Sequence, residues 1–245
     1  MRIEWKICLT FLLLAIAFRY SESQNKSETE NSSQIPLHKN KNPSAQIDNY
    51  PQLEPNVSQK DIALKEFARD MSKKELSYAE SWIPNHGETT AGQSIHWLMD
   101  CSNTARYTYQ EIYQKQIPRT SLDQYLFAKR QSLFYPIVWE KEKDLTRKIL
   151  LKKLQPGDLL FWKNTTNVHT NPPISHVMIY LGRDNSDKMF MFGASTSARS
   201  QDSQKSGGIG IYPFDPYSKI GCVKDSLGVC SVYSEFVGWA RLQLE

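Results

Sequence analysis

The sequence predicts an α+β fold in which one helix packs on a small antiparallel sheet. Three observations carry that expectation. Residues 61–78 and 100–114 repeat apolar side chains three and four apart, the period of a helix with one buried face. Residues 174–182 alternate instead, with His176, Met178 and Tyr180 on one face and Val177, Ile179 and Leu181 on the other. The polar turn Gly182-Arg-Asp-Asn-Ser-Asp187 then returns the chain into Met189-Phe-Met-Phe-Gly-Ala194, which reads as an antiparallel hairpin. The bulk composition agrees: 245 residues, 40% hydrophobic and 23% charged, suffice for one sizeable core.

At the N-terminus, Arg2 and Lys6 precede an apolar run over residues 7–18. That run is shorter than the roughly 20 residues of a membrane span. It has the plan of a signal peptide over residues 1–20, implying export to the periplasm or the exterior; an uncleaved N-terminal anchor is the alternative. Residues 21–60 are rich in Ser, Asn, Gln, Lys and Glu, with Pro36, Pro43, Pro51 and Pro55 and no apolar period. Such a stretch cannot offset its ordering entropy and reads as a disordered linker, leaving 61–245 as the folded domain. Asn-x-Ser/Thr triplets at Asn25, Asn31, Asn56 and Asn164 arise easily in this composition. The net charge of +4 falls to +2 once Arg2, Lys6, Arg19 and Glu4 are removed, which argues against a nucleic-acid partner.

The first expected helix, 61–78, carries Ile62, Leu64, Phe67 and Met71 on one face. The second aligns Cys101, Ala105, Tyr109 and Ile112, with Asp100 as its N-cap. Cys101 therefore sits in a first helical turn, where free N–H groups and the helix dipole favour a thiolate able to attack a carbonyl. A buried structural cysteine is the alternative. Residues 130–153, with Trp139 and mixed charges, read as an insertion that places a helix over the cleft. Pro156-Gly-Asp158 is a turn feeding a strand to Trp162; further strands are expected at 208–212 and 236–242. His176, at a strand start, can take the thiol proton if the sheet packs on the Cys101 helix; otherwise it is an ordinary packed histidine. Apart from Cys8 in the apolar run, three cysteines remain. Cys222 and Cys230 flank a short loop and can bridge, adding on the order of 2–3 kcal/mol, which leaves Cys101 free. Cys101 has no zinc-ligand spacing, and His86, His96 and His169 show no ligand pairing, so no metal or cofactor is expected.

Taken together, four blocks resemble those of the NlpC/P60 family of papain-like cysteine peptidases, in the family's order. Asp100-Cys101-Ser102 is similar to its Asp-Cys-Ser-Gly block, and Ile117-Pro-Arg-Thr-Ser-Leu-Asp-Gln124 to its Leu-Pro-Arg-Thr/Ser-x-x-x-Gln segment. Pro156-Gly-Asp-Leu-Leu-Phe161 resembles Pro-Gly-Asp-Leu-Val-x-Phe, and His176-Val-Met-Ile-Tyr-Leu-Gly182 resembles His-Val-Gly-Ile-Tyr-Leu-Gly. The terminal Gly238-Trp-Ala-Arg-Leu242 suits the last strand, so the resemblance runs from about Trp82 to the end. It implies a papain-like fold with a nucleophile helix on the sheet, Cys101 as nucleophile, His176 as base, and Asp100 and Ser102 as substrate-binding residues. The implied substrate is the stem peptide of bacterial peptidoglycan, cut next to γ-D-glutamate.

Three departures accompany the match. Asn103 and Thr104-Ala105 replace the glycine and apolar pair after the Cys block. Trp82-Ile-Pro-Asn-His-Gly87 poorly matches the aromatic and paired glycines expected before it, so no tyrosine beside the nucleophile is assigned. The third catalytic position, a polar side chain in the family, aligns with Gly193, flanked by Phe192 and Ala194-Ser-Thr-Ser197. Ser195, a backbone carbonyl or a water remain as substitutes. Two further readings stand beside the peptidase: an inactive wall-peptide-binding module, and an amidase or acyltransferase on the same fold. Oligomeric state is not legible.

Overall fold

The computed structural model describes residues 58–82, 97–199 and 206–243. The expected signal peptide, the linker up to residue 57, Asn25, Asn31, Asn56, His86 and His96 lie outside the described residues. Helix α1 (Gln59–Lys73) begins two residues ahead of the expected boundary at 61 because Ser58 and Asp61 form a capping box. Ser58 Oγ accepts from the Asp61 N–H at 3.1 Å, and the Asp61 carboxylate accepts from the Ser58 N–H at 3.2 Å. Residues 58–60 thus belong to the fold rather than to the linker. The helix stops at Lys73, short of Tyr78, as Glu75 takes a φ of 50° and turns the chain.

A short antiparallel pair follows, β1 (Ser81–Trp82) with β2 (Trp97–Leu98). Helices α2 (Cys101–Tyr113) and α3 (Ser121–Arg130) come next, then β3 (Phe134–Pro136) and α4 (Lys143–Lys153). Strands β4 (Leu159–Lys163), β5 (Ile174–Arg183), β6 (Met189–Arg199) and β7 (Ser206–Phe214) precede the hairpin β8 (Cys222–Lys224)–β9 (Cys230–Tyr233) and the final β10 (Glu235–Ala240). Six strands form one antiparallel sheet in the order β3-β10-β4-β5-β6-β7.

The alternation read from 174–182 decides which layer each residue serves. Val177, Ile179 and Leu181 face a core shared with Leu64 and Ala68 of α1 and Cys101, Ala105 and Tyr109 of α2. Met178 and Tyr180 face a second core with Trp162, Met191, Tyr212 and Phe236. Helix α4 closes that second face, sending Leu150 into it, with Leu154 just beyond the helix end. Within segment 130–153, β3 pairs with β10 in the main sheet, and the helix packs into the second core rather than over the Cys101 side.

The Pro-Gly-Asp turn is a structural joint. Gly157 has a φ of +91°, and a Cβ there would collide with the Tyr113 hydroxyl, so the turn requires glycine on both counts. Asp158, fully buried, accepts from Arg241 Nε at 3.0 Å and Nη2 at 2.9 Å, from Gln243 Nε2 at 3.0 Å and from the Gln155 N–H at 2.9 Å. Burial pushes its carboxyl upward and Arg241 opposes that. Tyr109 of α2 donates its hydroxyl to the Gly157 carbonyl at 2.7 Å, fastening the Cys101 helix to this turn. The Cys222–Cys230 disulfide forms as expected, with Cα atoms 5.6 Å apart. Asn167 grips the hairpin through two bonds to the Lys224 backbone, at 2.8 and 2.7 Å.

Candidate functional site

Cys101 is the first residue of α2, as its sequence predicts. Asp100 caps the helix, its Oδ1 accepting from the Asn103 N–H at 2.8 Å, while Thr104 Oγ1 bonds the Asp100 carbonyl at 2.8 Å. Asn103, which departs from the expected glycine, donates from Nδ2 to the Leu98 carbonyl at 2.9 Å and ties the helix to β2.

The surroundings of Cys101 are apolar and close. Its side chain is nearly buried and is the single free thiol among the described residues. Tyr78 donates its hydroxyl to Cys101 Sγ at 3.9 Å, and the Val177 backbone N–H also approaches the sulfur. Burial pushes the thiol up to about 11, against the lowering effect of these donors. The thiolate expected at a helix N-terminus is thus not favoured in the free protein, because desolvation exceeds the fraction of a kcal/mol to about 1 kcal/mol typical of a helix end.

His176 lies one residue from Val177, the backbone that touches Cys101. It is buried opposite Trp162 on β4, ring centroids 6.0 Å apart. Burial lowers its imidazole to about 4, while the Asp100 carboxylate acts in the raising direction. The helix start and the strand start are linked in two ways: the Val177 N–H approaches the Cys101 sulfur, and the Asp100 carboxylate acts on the His176 imidazole. His176 Nε2 is buried and has no hydrogen-bond partner. Ser195, considered as a substitute orienter, does not bond that nitrogen.

Asp100 and Ser102 sit together, but their polar atoms are engaged. Asp100 accepts from Ser102 Oγ at 3.0 Å and from Arg119 Nη1 at 3.1 Å and Nη2 at 2.5 Å; Arg119 Nη1 also donates to Ser102 Oγ at 2.9 Å. Gln124, fully buried on α3, donates from Nε2 to the Ser102 and Pro118 carbonyls, each at 2.9 Å. Arg119 and Tyr78 are the residues the sequence reading missed. The Pro-Arg-Thr block already signalled Arg119; Tyr78 had no signal, because it precedes the segment where a tyrosine was sought. Among the described residues no group of three His, Cys, Asp or Glu side chains could hold a metal, and His169 is exposed on a loop.

The NlpC/P60 family model matches residues 87–209, half of the chain, a span that includes Cys101, His176 and Gly193. No curated protein matches the chain.

Proposed function

Because the chain belongs to the NlpC/P60 family, whose members are generally cell-wall peptidases acting on peptidoglycan, we propose that it is an exported cysteine endopeptidase. In this reading it hydrolyses an amide bond of the peptidoglycan stem peptide, next to γ-D-glutamate. The observation that supports it is Cys101 at a helix start, with its sulfur approached by the N–H of Val177, the residue next to His176 on β5. In this reading the Cys101 thiol and the His176 imidazole are the nucleophile and base of an acyl-transfer dyad.

The free protein holds both groups neutral, so the proton moves as the bond forms. His176 takes the Cys101 proton, the sulfur attacks the amide carbonyl, and a tetrahedral oxyanion develops. The Cys101 backbone N–H, at a helical position with no intrahelical acceptor, and the Tyr78 hydroxyl are the donors assigned to that oxyanion. The imidazolium then protonates the leaving amine. Water attacks the thioester and returns the proton to sulfur. Asp100 and Ser102, braced by Arg119, hold the stem peptide beside the dyad.

One observation favours a second reading, a wall-peptide-binding module without hydrolysis: the orphaned Nε2 of His176, which leaves the base unoriented. Digestion of purified peptidoglycan separates the two. The peptidase reading expects released stem-peptide fragments that vanish with Cys101→Ala and His176→Ala; the binding reading expects co-sedimentation with no release from the wild type.

A further inference from the structure

The face of β5 that carries His176 is packed in an unusual way, and we infer that Met178 is the positioning residue for the imidazole, occupying the space through which a side chain on Gly193 would reach it. The inference takes from the peptidase reading only what the imidazole does; where it sits follows from packing. His176 and Met178 are two residues apart on β5 and so project to the same side of the sheet. The β5–β6 register, set by Ile179 opposite Phe192, continues to place Gly193 opposite Met178. Gly193 is then diagonal to His176, a separation that long cross-strand side chains span.

A Cβ added to Gly193 would lie 2.5 Å from Met178 Sδ and 3.4 Å from its Cε, with Met178 Cα at 3.7 Å. A side chain on Gly193 therefore requires the Met178 thioether to move. Gly193 is not among the left-handed glycines, so its backbone accepts any residue, and the atoms nearest to an added Cβ all belong to Met178. The consequence shows at His176, whose Nε2 is buried without a partner, a state that normally costs free energy. Trp162 flanks the ring from β4, and Met178 fills the same apolar core. His176 and Met178 thus share one face of β5, the imidazole lies against the Trp162 indole, and no hydrogen bond is made at Nε2. The sequence block bears the same mark, since Met178 stands where the resembling block has glycine and Gly193 where it has a polar side chain.

The test pairs the two positions. Gly193→His alone overpacks against Met178 and should lower Tm by roughly 4–10 °C. Combining it with Met178→Gly, or pairing Gly193→Asn with Met178→Ala, should recover most of that loss. The paired variants should also raise kcat about tenfold or more, with KM within about twofold, because a base gains an orienting bond. Met178→Ala alone should lower kcat about tenfold at nearly unchanged KM, and Met178→Leu should restore most of it. The ¹⁵N resonances of His176 provide a readout independent of turnover: the Nε2 signal should move in the paired variants. Paired variants no more stable than Gly193→His would show that the two positions do not share one space. A stable paired variant with an unmoved Nε2 signal, or Met178→Ala with wild-type kcat and imidazole signals, would overturn the positioning role. A wild type that cleaves nothing while the Nε2 signal still moves would overturn the peptidase reading and leave this one standing.

Discussion

Cys101 and His176 are each governed by a contest between burial and local dipoles or charges, and burial wins at both. The sequence located both residues and the helix start, since capping and alternation are local properties. It could not weigh desolvation, which depends on how tightly Tyr78, β5 and the sheet close around the thiol. Alkylation of native protein by iodoacetamide should therefore be slow at neutral pH and accelerate as pH rises from about 9 towards 11, because the thiol is pushed up to about 11. Full-rate labelling below pH 7 would contradict that. His176 sets the opposite end of the scale. Its folded value of about 4 lies below the ordinary 6.5, so the unfolded chain binds the extra proton first as pH falls. Stability should drop by about 3 kcal/mol between pH 6.5 and 4 and level off below, and His176→Gln should remove that component. Parallel denaturant curves for the two proteins across this window check it; identical pH slopes would refute it.

Among the elements, those with strong periodicity were legible and those defined by long-range partners were not. α2, the β5–β6 hairpin and β10 follow from apolar spacing and turn residues. β3 escaped because it is three residues long and gains its identity only by pairing with β10; the helix expected within 130–153 is α4, but its seat against the second core was hidden by the lysines interleaved with its leucines. The Pro-Gly-Asp block was visible as a turn, yet its role as the anchor of Arg241 needed the return of the C-terminal strand. Asp158→Ala leaves Arg241 without its carboxylate and should destabilise the fold by about 3–5 kcal/mol. A thermal midpoint unchanged from wild type would contradict a structural role for that pair. The disulfide hairpin β8–β9 lies outside the main sheet, so reducing Cys222–Cys230 should loosen amide protection locally while the six-stranded sheet keeps its own. Loss of protection in β4 and β5 on reduction would overturn that separation.

Across the described residues, the sheet is a partition with a core on each side, and at the start of β5 the Val177 N–H approaches the Cys101 sulfur. The helices α1 and α2 make one core and position the thiol; α4 closes the other and packs the face that carries His176 and Met178. Leu150→Ala removes the deepest α4 contact and should cost about 2–5 kcal/mol. Unfolding curves for Leu150→Ala that overlay the wild type would show that α4 is dispensable to the fold.

Mass spectrometry of the soluble products from purified peptidoglycan, incubated with reduced wild-type protein and with Cys101→Ala, tests the proposed hydrolysis. Release of stem-peptide fragments ending at γ-D-glutamate by the wild type, and none by the variant, is the predicted result. Bound protein with no released peptide, or equal release by both, would contradict a Cys101-dependent peptidase.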